Sequence, residues 1–180
     1  MNKKAQFQHG DVLHCYSTRL LSRAIRRVTR GRFNHTAIVV QWAGMLFIAD
    51  SQNDGTQLRP FDEWTAKYGY KYIIHRSILY PDLTFQENLT ERVLKVIGST
   101  PYDFKSLLWY YPRYVVSGRW RGKRKDAALK RMFCSEFVAY VHNVDNFWKI
   151  SPQELYEILE DNKIYFQVWN DYNKFWEDEL

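Results

Sequence analysis

The chain has 180 residues, 46% of them hydrophobic and 17% aromatic, and a formal net charge of +6. That length fits one domain with its own core, and the composition excludes a disordered chain. No run of about 18 apolar residues occurs, and no long apolar stretch follows the basic start, so neither a membrane-spanning helix nor a secretory signal is expected and a cytoplasmic place is.

Gly10-Asp11 leads into a short strand, Val12 to Tyr16. Ser17 or Thr18 is placed to cap a helix in which Leu20, Leu21, Ala24, Ile25 and Val28 recur at helical spacing, with arginines outward and Arg30-Gly31-Arg32 at its end. A hairpin follows: Thr36 to Val40 is apolar and β-branched, Trp42-Ala43-Gly44 turns, and Met45 to Ala49 returns. Gln52-Asn53-Asp54-Gly55 predicts a turn before a strand near Thr56 to Arg59. A small helix around Asp62 to Lys67 and a strand from Lys71 to Arg76 come next. Thr84 and Glu87 read as a capping box ahead of a Leu89, Val93, Val96 and Ile97 stripe closed by Gly98.

Phe104 to Tyr111 reads as helical and aromatic, and a basic loop is expected from Pro112, in an insertion of about 112–131. A helix opens at Cys134 and is expected to run to about Phe147. Ser151-Pro152-Gln153-Glu154 then caps another, with proline at its first position. The remainder, about 165–180, reads as an acidic extension. Strands come mostly first and helices mostly later, with antiparallel hairpins, so the fold class is α+β in a single domain spanning 1–180.

Arg19, Arg23, Arg26, Arg27, Arg30 and Arg32 form one basic cluster, and a second runs from Arg113 to Arg131. Such patches attract an anionic surface or polymer, including nucleic acid, teichoic acid and lipid headgroups, although a pair of solvated faces is the plainer account. The two cysteines, Cys15 and Cys134, lack the paired spacing of a zinc site, so no metal or other cofactor is expected, and without an export signal both are expected as free thiols.

Cys134 carries the chemistry best. Phe137, Val138 and Val141 supply the buried stripe of its helix, which puts the sulfur at the helix N-terminus, among unpaired N–H groups and partial positive charge. An ordinary cysteine is only about 3% ionised at pH 7, so a nucleophilic role needs that field and a histidine. The same N–H groups suit an oxyanion. His35 leads directly into the buried strand and stands at its mouth. A two-residue turn at Ala43-Gly44 makes His35 and Asp50 diagonal neighbours on one face, a four-residue turn makes them opposite, and a three-residue turn needs a bulge. Asp50 then orients one ring nitrogen while the other faces the thiol. A small buried cysteine and a polar pair at a strand end are the plain alternatives.

His14 and Cys15, adjacent on a strand, point to opposite faces and cannot pair with each other. Cys15 is expected to pack, His75 and His142 to be structural, and His9 to lie near a disordered end.

These residues resemble a known group. Gly10-Asp11-Val12-Leu13, Asn34-His35-Thr36-Ala37-Ile38-Val39-Val40, Ala49-Asp50, Gly98-x-x-Pro101-Tyr102-Asp103 and Phe133-Cys134-Ser135-Glu136-Phe137-Val138 are similar to motifs of the circularly permuted NlpC-type papain-like enzymes, and within them the YiiX/YaeF-like group. The resemblance runs from about Gly10 to Ile164. It implies a papain-like antiparallel sheet packed against helices, with the histidine strand before the cysteine helix. It also implies a Cys-His-carboxylate triad: Cys134 as nucleophile, His35 as base and Asp50 as third member, where the group often has glutamate. Tyr102 and Ser135 take the place of substrate or oxyanion contacts, with an ordinary buried tyrosine the plain alternative for Tyr102. The substrates implied are an amide, as in a peptide or cell-wall stem peptide, or a lipid acyl chain cleaved or transferred. A module that binds polyanions without catalysis is the rival from another class.

Overall fold

The computed structural model describes residues 7–119, 121–122, 127 and 129–170. Its frame is a six-stranded antiparallel sheet in the order β4-β3-β2-β1-β5-β6. The strands are β1 Val12–Tyr16, β2 His35–Trp42, β3 Met45–Gln52, β4 Gly55–Pro60, β5 Lys71–Ser77 and β6 Tyr165–Asn170. The helices are α1 Leu20–Thr29, α2 Phe61–Tyr68, α3 Leu83–Val96, α4 Tyr111–Ser117, α5 Cys134–Val141 and α6 Pro152–Asp161. A π-helical turn, Ser106–Tyr110, runs directly into α4.

Alternation along the strands sorts the core into two layers. Val12, Ile38, Val40 and Ala49 face α3, α5 and α6, meeting Leu89, Val93, Phe137, Val138, Leu155 and Leu159. Leu13, Cys15, Ala37, Val39, Ile48 and Ile74 face the other way, onto Phe61, Trp64 and Tyr68 of α2. Both faces are therefore covered, which is why these strands read as nearly continuous apolar runs. No helix among the described residues is long and apolar enough to cross a membrane.

Several expectations need correction. Arg19, not Ser17 or Thr18, precedes α1 and provides no side-chain cap; the Ser17 hydroxyl accepts from the Arg19 N–H instead. Asp82 caps α3 by accepting from the Phe85 N–H at 3.1 Å, so the helix starts two residues before a Thr84 cap would start it. Pro112 lies in α4, directly after the π-helical turn, so the segment to Ser117 is helical and not a loop. Residues 120, 123–126 and 128 of the expected insertion lie outside the described residues.

The helix from Cys134 ends at Val141, not Phe147; Asn143 and Asn146 both have positive φ and break it, while Val144 and Phe147 extend the apolar spacing without the helix. Residues 165–170 are no extension but the edge strand β6 on β5, and residues 171–180 lie outside the described residues. The Ser151 box is present as expected, with Ser151 Oγ accepting from the Glu154 N–H and the Glu154 carboxylate from the Ser151 N–H.

Edge strand β4 is partly covered by the segment after α3. Thr56 N–H donates to the Thr100 carbonyl at 2.9 Å, and Gly98 N–H donates to the Thr56 carbonyl at 2.8 Å. Gly55 makes this approach possible: its φ is +90°, and a Cβ there would lie 2.8 Å from the Thr100 oxygen.

Candidate active site

His35 is the first residue of β2, so its imidazole stands at the rim of the sheet. Asn34 fixes that corner. Its side-chain oxygen accepts from the Ser17 N–H at 2.7 Å, its amide donates to the Ser22 hydroxyl at 3.1 Å, and its backbone N–H donates to the Cys15 carbonyl. Across the hairpin the turn is Ala43-Gly44, both with positive φ, and it pairs Trp42 with Met45 and Ala37 with Asp50. His35 and Asp50 are thus diagonal neighbours, the outcome of the two-residue turn. His35 Nε2 lies 2.9 Å from an Asp50 carboxylate oxygen.

Asp50 is wholly buried and receives three more donors: Gln52 Nε2 at 2.7 Å, Trp64 Nε1 at 2.8 Å and Arg59 Nη1 at 2.5 Å. Burial alone would raise its pKa, but the hydrogen bonds from His35, Trp64 and Gln52 hold the carboxyl below its ordinary value. Arg59 is gripped from behind by Asp54 at 2.6 Å. The carboxylate that faces His35 is therefore ionised, immobile and fully hydrogen-bonded.

Cys134 opens α5, and its sulfur lies near enough to the His35 ring to act on the charge state of the imidazole. With Nε2 directed at Asp50, Nδ1 is the nitrogen left for the sulfur. Burial works to lower the pKa of His35, but the charge of the Cys134 sulfur and the bond to Asp50 outweigh it, and the value is pushed up to about 9.

Met132 positions the helix start. Its carbonyl accepts from Ser51 Oγ at 2.8 Å and from the Asp103 N–H at 3.3 Å, and its own N–H donates to the Pro101 carbonyl at 3.1 Å. Glu136 then turns back to accept from the Phe133 N–H at 3.1 Å. Three separate stretches of chain, strand β3, the Pro101–Asp103 segment and the α5 start, meet at this one residue.

A cleft of about 70 Å³ opens above His35. Asn34, Gln52, Tyr70 and Tyr102 contribute its polar wall, and Ile25, Phe104, Leu107 and Leu108 its apolar one. Cys134 is not part of the cleft wall and is only 1% exposed. Tyr70 stacks on the His35 ring at 5.2 Å and 15°, shielding it from water. Tyr102 borders the cleft, joins the segment entering α5 through a bridge to Met132, and packs on Phe104 at 4.7 Å. Burial raises the pKa of its phenol well above the ordinary value, so the hydroxyl keeps its proton. A larger cavity of about 660 Å³, lined by Arg92, His142 and Tyr165 among others, contains none of these residues.

Ser135 turns its side chain away from the cleft. Its hydroxyl donates to the Ile150 carbonyl at 2.7 Å and is wholly buried, so the side chain anchors α5 and does not reach the cleft. His9 is buried, with Nδ1 accepting from the Gln41 N–H at 3.1 Å. Cys15 is a buried free thiol packed beside α2, and burial raises its pKa well above the ordinary value. His14 packs against Phe33, His75 and Tyr156 on the opposite face from Cys15. Arg59, Trp64 and Tyr70 were not anticipated from the sequence. Arg59 sits two residues beyond Gln57, the partner of Asp50 across the next hairpin, so the Asn53-Asp54 turn carried a usable signal for it. Trp64 and Tyr70 arrive through the docking of α2, for which the local sequence holds no register.

An antiparallel six-stranded sheet with helices packed on it, carrying a histidine at a strand start and a cysteine at a helix start, defines an α+β fold of the YiiX-like kind. The likeness is to the crystal structure of the metalloprotein yiiX from Escherichia coli O157:H7, with a TM-score of 0.57 and 20% identity over 92% of this chain and 98% of that one. No protein-family profile matches the chain, and no curated protein matches it. Among the described residues no three His, Cys, Asp or Glu side chains converge to hold a metal ion.

Proposed function

We propose that the protein is a cysteine hydrolase of the permuted papain-like kind, cleaving an amide, such as that of a peptide or cell-wall stem peptide, through a thioester. The observation that carries this reading is the buried His35–Asp50 pair, 2.9 Å apart, with the Cys134 sulfur at a helix start acting on the same imidazole. The Cys134 thiolate attacks the carbonyl carbon, and the charge that develops on oxygen is met by amides of the first turn of α5 and by the Tyr102 hydroxyl. Collapse breaks the C–N bond while imidazolium His35 gives its proton to the leaving nitrogen. Water then adds to the thioester with His35 taking its proton, and the carboxylic acid leaves as the thiolate is restored.

The apolar wall of Ile25, Phe104, Leu107 and Leu108 favours a second reading, in which the acyl group belongs to a lipid ester or passes to an amine or alcohol. Turnover of stem peptides and of phospholipids by wild type and Cys134→Ala tests both. Loss of about 10⁴-fold with Cys134→Ala on one substrate class is expected; equal turnover by the two proteins rejects the nucleophile.

A further inference from the structure

The apolar wall of the cleft does not stop at its mouth. Phe104 is 43% and Leu108 49% exposed, and the apolar surface continues outside the cleft as Trp109 at 56% and Val116 at 83%. Single exposed apolar residues are ordinary, but these follow one another along the π-helical turn and α4. Among the described residues of α4 only Tyr111 is buried, so the helix lies on the surface with this strip outward.

Cations border the strip. Lys105, Arg113 and Arg119 are exposed along it, and the Arg113 guanidinium lies 3.9 Å from the Trp109 ring centre. Helix α1 packs beside α4, burying Ile25 against Leu107. Its other side exposes Arg19, Arg23, Arg27 and Arg30. A separate groove against Tyr114 of α4 carries Asp145, Glu154, Glu157 and Asp161, none of which lines the cleft.

We propose that this end of the protein docks on an anionic lipid bilayer, with Trp109 and Val116 entering the interface and the α1 and α4 cations meeting headgroups. Aliphatic Val116 and Leu108 have no stacking role on bases, whereas burial of such side chains together with cation–headgroup attraction is what holds an amphipathic surface to a membrane. Docking this way sets the mouth of the cleft against the bilayer. It does not rest on the hydrolase reading, since none of its contacts uses Cys134.

Co-sedimentation of the full chain with vesicles tests this, using phosphatidylcholine alone and equal parts of phosphatidylcholine and phosphatidylglycerol. Wild type and Cys134→Ala are expected to bind the phosphatidylglycerol vesicles alike and the neutral ones far less. Trp109→Ala/Val116→Asp, and separately Arg23→Glu/Arg27→Glu, should each weaken binding about tenfold, with circular dichroism spectra unchanged. Equal partition onto both vesicle types, or binding indifferent to the Trp109/Val116 pair, overturns the proposal. So does absent vesicle binding accompanied by salt-sensitive binding of a single-stranded oligonucleotide that survives those substitutions.

Discussion

At the scale of single residues, Asp50 is shared between two cations. His35 holds one oxygen at 2.9 Å and Arg59 the other at 2.5 Å, so Arg59 draws off part of the field that would otherwise favour imidazolium. Arg59→Met leaves a buried carboxylate short of a partner and is expected to cost about 3 kcal/mol in urea unfolding, while moving the alkaline limb of Cys134 reactivity upward. Tyr102→Phe keeps the ring against Phe104 and removes only the hydroxyl; a loss of about 10²-fold in kcat with unchanged stability is expected if that hydroxyl meets the oxyanion. Ser135→Ala should do the reverse, lowering stability by about 1–2 kcal/mol through the orphaned Ile150 carbonyl and leaving kcat nearly intact. The sequence singled out Cys134, His35 and Asp50 because strand start, helix start and hairpin spacing constrain them locally. It paired Ser135 with them because it is adjacent in sequence, whereas helix geometry turns its side chain towards Ile150.

At the scale of elements, the register of the β2–β3 hairpin decides whether the site exists. Three turn lengths were open from the sequence, and Ala43-Gly44 with positive φ at both positions selects the shortest. Strands β2 and β3 were readable as apolar runs, β-branched in β2, the pattern of a sheet covered on both faces. Helix limits were less so, because Val144 and Phe147 keep apolar spacing after the backbone has already turned at Asn143. Nor did any local pattern reveal that α2 delivers Trp64 to Asp50, since that contact depends on how a helix docks on a sheet. Gly55 links this frame to the cleft by admitting the Thr100 segment that leads to Tyr102. Gly55→Ala combines a left-handed φ with a clash against a backbone oxygen, so a loss of about 1–3 kcal/mol and a fall in kcat are expected together.

For the molecule as a whole, histidines pull stability in opposite directions with pH. His35, raised to about 9, keeps its stabilising effect below pH 6.5, and loses it as pH climbs from 6.5 through about 9. His9, His14, His75 and His142 are all lowered, first by burial, with His142 reaching about 3. Below pH 6.5 the unfolded chain takes protons that these four refuse in the fold, so stability falls towards acid. Urea midpoints should therefore crest near neutrality and decline on both sides. His14, with neither ring nitrogen hydrogen-bonded and rings of Phe33, His75 and Tyr156 around it, contributes to the acid decline. His14→Phe should flatten that arm without moving the alkaline one.

Alkylation of the two cysteines by iodoacetamide, followed by peptide mass spectrometry across pH, tests the pairing of sulfur and imidazole most directly. Modification is expected at Cys134 well below pH 8 and not at Cys15, with His35→Ala abolishing the low-pH reaction. Preferential labelling of Cys15, or a Cys134 profile unchanged by His35→Ala, would contradict the assignment.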